Sequence, residues 1–158
     1  MRKGFFLLLG GACAFALLVT GCGGGSGNDS EVTASSLSKA QYIQKANAVC
    51  EKGTKQIATD FAVFLKEKES VKEPTEADYV QLFNTVVAPN VEREIDELRE
   101  LGAPKGDEKE VEAILQAREE SIQIAEEDPE AIIENSDKVF ARASKVAAGY
   151  GLKTCATR

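Results

Sequence analysis

Cys22 closes the run Val19-Thr20-Gly21-Cys22, behind an apolar stretch from Phe5 to Val19 that follows Arg2 and Lys3. A basic start, an apolar stretch and small residues before a cut are the three parts of an export signal. A cysteine immediately behind that cut offers a thiol that can take a diacylglyceryl group before cleavage. The stretch has 15 residues, fewer than the roughly 20 that a bilayer-spanning helix needs. Two more cysteines, Cys50 and Cys155, lie far downstream and far from each other. The remaining candidates for chemistry are carboxylates, in runs at Glu92, Glu94, Asp96, Glu97 and Glu100 and at Glu119, Glu120, Glu126, Glu127, Asp128 and Glu130.

The Val19–Cys22 run resembles the lipobox of bacterial lipoproteins. That resemblance implies a lipoprotein signal peptide over residues 1–21, with Cys22 as the first mature residue. Its acyl chains, palmitate among them, number at least two, and two chains give the stable anchoring that one does not. The expected location is the cell membrane, with the domain lipid-anchored on the extracytoplasmic face. Residues 22–36 follow as the lipidated cysteine and a Gly/Ser tether, too polar and too glycine-rich to bury a core. Its typical reach is on the order of 20 Å. A single domain, residues 37–158, makes up the rest.

Loss of Arg2 and Lys3 from the 19 basic residues leaves 17 against 26 acidic ones, a formal charge of −9 on the mature chain. This sign disfavours nucleic acid as a partner and direct adhesion to an anionic leaflet. The bilayer is expected to be met through acylated Cys22 alone. Cys13 leaves with the signal and the Cys22 thiol is consumed by lipid, so Cys50 and Cys155 remain to pair in an oxidising compartment. A structural bridge is expected; no Cys-x-x-Cys spacing favours a redox pair.

The chain has no histidine. Ser-His-Asp and Cys-His nucleophile systems and histidine-bearing metal sites are thereby excluded. Ser36 and Lys39 have the Ser-x-x-Lys spacing of some serine nucleophiles, but they straddle the tether and a helix cap. Paired carboxylates serve as acid and base in glycosidases or ligate calcium. No Asp-x-Asp-x-Asp-Gly loop occurs, and Arg93, Arg99 and Arg118 stand among the acids, which reads as a solvated helix face. Tyr42, Tyr79 and Tyr150 are expected in the core rather than around a ligand. Neither a catalytic residue nor a metal or cofactor site is assigned.

The elements that must position these residues are helical. Ser38 with Gln41 forms a capping box, flanked by Leu37 and Tyr42 as a staple. Ile43, Ala46, Cys50, Gly53, Ile57, Phe61 and Phe64 recur in steps of three and four, one stripe of a long helix. Pro74 and Thr75 punctuate, Asp78 sits three residues past Thr75, and a second stripe runs from Tyr79 through Phe83, Val86, Val91, Ile95 and Leu98 to Leu101. Pro89 interrupts this stripe without changing its phase, so a kinked helix is expected, stopped by Gly102 and Pro104. Asp107 with Glu110 opens a third helix on Val111, Ile114, Leu115, Ile122 and Ala125. Asp128-Pro129 ends it and starts a fourth, with a break near Asn135-Ser136 and an end at Gly149 and Gly151. No alternating strand pattern appears. The expected fold is all-α, a single bundle of about four helices with the second kinked at Pro89, stapled by one disulfide.

The mature chain resembles small extracytoplasmic helical lipoproteins of actinobacteria, largely of unknown function. The resemblance rests on Tyr42-Ile43-x-Lys45-Ala46-Asn47-Ala48-Val49-Cys50, Leu98-x-x-Leu101-x-Ala103-Pro104-x-Gly106-Asp107-Glu108 and Tyr150-Gly151-Leu152-x-x-Cys155. It implies a helical domain with a cysteine near each end and brings no catalytic residue. The function expected is a membrane-anchored, non-enzymatic domain that binds an envelope protein or a small ligand. The alternatives are a carboxylate-dependent envelope hydrolase and a purely structural envelope spacer.

Overall fold

The fold was analysed in a computed structural model, which describes residues 34–68 and 75–157. Cys22, the signal segment, most of the tether and Pro74 lie outside the described residues. Helix α1 (Lys39–Glu67) starts at the expected capping box, where the Ser38 hydroxyl accepts from the Gln41 amide and the Gln41 side chain accepts from the Ser38 amide. Helix α2 (Glu76–Leu82) starts the same way at Thr75 and Asp78. It continues through one wide π-helical turn (Phe83–Val87) into α3 (Ala88–Glu100). The wide turn falls directly before Pro89, which has no N–H to donate. The Ala88 amide reaches five residues back to the Phe83 carbonyl, and the Asn90 side chain donates to the Val86 carbonyl at 2.8 Å. The kink is thus a π-bulge, a device that re-satisfies the ladder around a missing donor.

Helix α4 (Glu108–Glu127) and helix α5 (Pro129–Tyr150) follow, with Asp128 accepting from the Ala131 amide at the start of α5. Asn135 leaves helical geometry at φ −148° and ψ 48°, the break expected there. Gly102 and Gly151, at φ 66° and 109°, end α3 and α5 in the left-handed region. The four rods α1, α2–α3, α4 and α5 form one all-α bundle: α4 packs most extensively on α5, α1 lies on α3, and α3 on α4. Their shared core holds Tyr42, Ala46, Cys50, Leu98, Val111, Ile114, Leu115, Leu152 and Cys155, all buried.

Three local features differ from expectation. A two-residue parallel ladder joins β1 (Ala34–Ser35) to β2 (Ala103–Pro104), so the last residues of the tether segment are held against the α3–α4 connection. Phe61 and Tyr79, placed on the apolar stripes by spacing, are 40% and 45% exposed. Asp107 stands at the start of α4, yet its carboxylate does not cap the helix. It accepts instead from the Tyr150 hydroxyl at 2.7 Å and lies 3.3 Å from the Lys39 ammonium. Lys39 also sits 4.1 Å over the Tyr150 ring, which meets Tyr42 edge-on at 6.0 Å. Lys39 is therefore engaged in closing this end of the bundle.

This cluster sets a pH signature. The Tyr150 hydrogen bond, followed by the Lys39 ammonium, holds the Asp107 carboxyl below its usual range. Burial, then the Asp107 partner, pushes the Tyr150 phenol up, and burial pushes Tyr42 up to about 12. Raised phenols stabilise the fold fully below their unfolded pKa of about 10, and that contribution is lost as pH climbs through the folded values. The lowered carboxyl stabilises above about pH 3.9, and its contribution is lost as pH falls through its folded value. In Tyr150→Phe both limbs flatten: denaturant midpoints measured from pH 2 to 12 fall less steeply on acidification and less steeply above pH 10 than those of the parent. Identical profiles would contradict the coupling.

Candidate functional site

Glu94 and Arg118 are charged residues on the inward faces of α3 and α4. Glu94 follows Val91 by three and precedes Leu98 by four, and Arg118 follows Ile114 and precedes Ile122 by four, so helical geometry turns both toward the core. Arg118 Nη2 donates to Glu94 Oε2 at 2.7 Å. Their side chains are 5% and 4% exposed. Two charges taken out of water tolerate this only in close, hydrogen-bonded geometry.

Space for the carboxylate comes from α1. A methyl group built on Gly53 would overlap the Glu94 carboxyl atoms, so the helix carries a glycine where it crosses α3. Glycine in a helix interior costs about 1 kcal/mol relative to alanine. Here that loss is accepted for close approach. Beside the ion pair, Asn90 donates to Asp60 Oδ2 at 3.0 Å and accepts from Arg93 Nη1 at 2.9 Å, so the buried amide is satisfied on both sides.

Cys50 and Cys155 are joined, with Cα atoms 5.2 Å apart. The bridge fastens the segment after α5 across α1, where the Thr154 amide also donates to Asn47 Oδ1 at 2.9 Å. The Cys155 carbonyl lies 3.4 Å from Arg118 Nη1. One guanidinium thus joins α3, α4 and the C-terminal segment.

These elements enclose a cavity of about 370 Å³, within the 300–1,000 Å³ range of small-molecule sites. Ile57, Val87, Val91, Phe140 and Ala143 make its apolar walls. The buried members Arg118 and Cys155 lie at its inner end, and Thr54, Ser136, Asp137 and Thr157, all exposed, stand at its mouth with half-buried Ser144. Val87 closes the π-helical turn and Ser136 follows the break at Asn135, so both irregularities border the cavity. A second hollow, of about 440 Å³, is lined by Ala48, Glu51, Lys52, Lys55, Gln56 and Thr59 of α1 alone, an open polar surface with no facing element.

The carboxylate runs are mainly solvent-facing, as expected, with Glu94 the one buried acid among the described residues. The cavity lining contains a single carboxylate, Asp137. Among the described residues no cluster of three potential metal ligands occurs, and no helix is long and apolar enough to cross a membrane. The tyrosines do not line the cavity; its aromatic member is Phe140. Sequence reading placed Cys50 and Cys155 together and put Gly53 on the buried stripe of α1, but took Glu94 and Arg118 for part of a solvated face, although the apolar phase of α3 and α4 already pointed both charges inward.

Two substitutions test this arrangement. Gly53→Ala, which ordinarily stabilises a helix, should lower the unfolding free energy by about 3 kcal/mol or more, because it displaces one partner of a buried pair. Gly149→Ala, where an added methyl meets nothing, should be neutral or stabilising; equal effects in denaturant melts would refute the close-approach account. Removing the bridge, which spans 105 residues, as Cys50→Ala/Cys155→Ala should lower stability by about 4 to 5 kcal/mol in the chain-entropy picture. Calorimetry of parent and double variant checks this.

Comparison of the chain with protein-family models, with curated proteins and with solved structures finds no match.

Proposed function

We propose that this protein is a lipid-anchored, extracytoplasmic binding domain, without enzymatic activity, that holds a small molecule in the cavity between α1, α3, α5 and the C-terminal segment. The observation that carries the reading is the cavity itself: about 370 Å³, apolar-walled, with a charged group at its inner end and hydroxyls at its mouth. The anchor rests on Cys22 and its place behind Val19-Thr20-Gly21. Acid–base chemistry of the glycosidase type takes two carboxylates facing one another across a bound substrate. Here Glu94 is held by Arg118 and Asp137 is the one acid in the lining, which favours binding over hydrolysis.

Membrane fractionation of the producing cells tests the anchor. The parent chain should sediment with membranes and be released by detergent, and Cys22→Ala should appear in the soluble or secreted fraction. Undiminished membrane retention of Cys22→Ala would remove the anchor. Solvent extraction of the purified parent, followed by mass spectrometry, should release a small molecule that a cavity-filled Ala143→Phe variant does not carry. Equal extracts from both would leave the spacer reading in its place.

A further inference from the structure

The mouth of the cavity, rather than its inner end, carries the charge that selects a ligand, an inference that rests on the binding reading above. At the inner end Arg118 is paired with Glu94 at 2.7 Å, so the two together present no net charge. At the mouth Asp137 is the one carboxylate of the lining. It is exposed, and among the described residues it makes no hydrogen bond or ion pair. Of the nearest basic residues on α5, Lys138 is adjacent in sequence and so faces another side of the helix, and Arg142 is paired with Glu120. The described lining therefore carries one unbalanced negative charge, at its opening, on a chain whose net charge is −7. Phe140, whose ring belongs to the apolar wall, follows Asp137 by three residues, which sets carboxylate and ring side by side on one helix face.

A ligand charge is tolerated at the opening and not among the walls. Ile57, Val87, Val91 and Ala143 offer only carbon there and would strip an ion of water without replacing it. An ammonium group at the opening would keep part of its hydration, lie beside the Asp137 carboxylate and meet the Phe140 ring, whose face attracts cations. A carboxylate in the same place would face a like charge, which is unfavourable. A neutral head group would leave binding to the hydrocarbon part alone. We propose that the cavity takes a cationic amphiphile, a molecule with one ammonium group and a single hydrocarbon part. Its ammonium lies at Asp137 and its hydrocarbon part against Ile57, Val91, Phe140 and Ala143.

Competition with a fluorescent probe tests this on the full chain, with its disulfide intact and with Cys22→Ala in place so that no detergent is needed. N-phenyl-1-naphthylamine, a neutral dye that brightens on leaving water, should bind this chain saturably at one site, and Ala143→Phe should weaken that binding by about tenfold or more. Should that variant not fold, Ser144→Phe fills the same cavity from a half-buried wall and gives the same loss. At neutral pH octylamine should displace the dye about threefold more effectively than octanol and about tenfold more effectively than octanoate, differences of the size an exposed ion pair supplies. Asp137→Asn should bring octylamine down to octanol while the dye binds as before, and Asp137→Lys should reverse the order of octylamine and octanoate. If the dye fails to bind, or binds the cavity-filled variant equally, the cavity reading falls and the ligand class falls with it. If the dye binds at the cavity but octanol or octanoate displaces it as well as octylamine does, or the preference for octylamine survives Asp137→Asn, the cationic class is overturned and the cavity stands.

Discussion

The contact between Glu94 and Arg118, set against the bare backbone of Gly53, is the constraint on which the arrangement of this bundle depends. Burying two ions costs several kcal/mol each before their attraction is counted, so the pair's net contribution to stability is small. Its weight lies in what it forbids. Sliding α1 by one residue along α3 would place Lys52 or Thr54 where Gly53 now stands, and a side chain there has no room beside the carboxylate. Apolar packing alone tolerates many registers of two helices; one buried carboxylate that needs a glycine opposite and a guanidinium behind tolerates far fewer. Removing one member of such a pair typically costs about 3 to 5 kcal/mol, because it leaves an uncompensated buried charge.

The disulfide acts on the same place from the other side. Cys155 gives its sulfur to Cys50 on α1 and its carbonyl to the neighbourhood of Arg118, so the covalent staple and the ion pair hold one C-terminal segment between them. A short segment after a final helix ordinarily frays. Here Leu152 is fully buried and Thr154 is tied to Asn47, and the segment becomes a wall of the cavity rather than a loose end. The covalent closure therefore shapes the site as well as constraining the unfolded chain.

How much of this was legible in the sequence follows from range. Features written within a few residues read correctly: the capping boxes at Ser38/Gln41 and Thr75/Asp78, the glycine stops after α3 and α5, the break near Asn135, and the continuity of the helix through Pro89. The Cys50–Cys155 pairing read correctly because the expected leader and lipid anchor would leave only those two cysteines to pair. Features decided by what lies across the bundle did not. Glu94 sits in a run of acids, and composition treats the run as one solvated face; only the phase set by Val91 and Leu98 separates it from Glu92 and Asp96. Phe61 and Tyr79 satisfy the spacing of a buried stripe, but the stripe is wider than the surface it meets. The two-residue ladder at Ala34–Ser35 is too short for any alternating pattern to announce it. Asp107 has the identity and place of a cap, and a tyrosine 43 residues away claims its carboxylate first.

The cavity and the point where the chain enters the bundle lie at separate places along α1. The chain enters the bundle at the Ala34–Ser35 ladder, beside the Lys39, Asp107 and Tyr150 cluster. The cavity is reached at Thr54 and Ile57, more than four helical turns further along α1. At 1.5 Å per residue the separation is about 22 to 27 Å, a little over half of the 29-residue helix. The lining of the cavity on α1 therefore stands well away from the Ala34–Ser35 ladder, where the chain enters the bundle. The lysine, aspartate and tyrosines that close the entry end thus fix how the chain enters the bundle, and none of them lines the cavity.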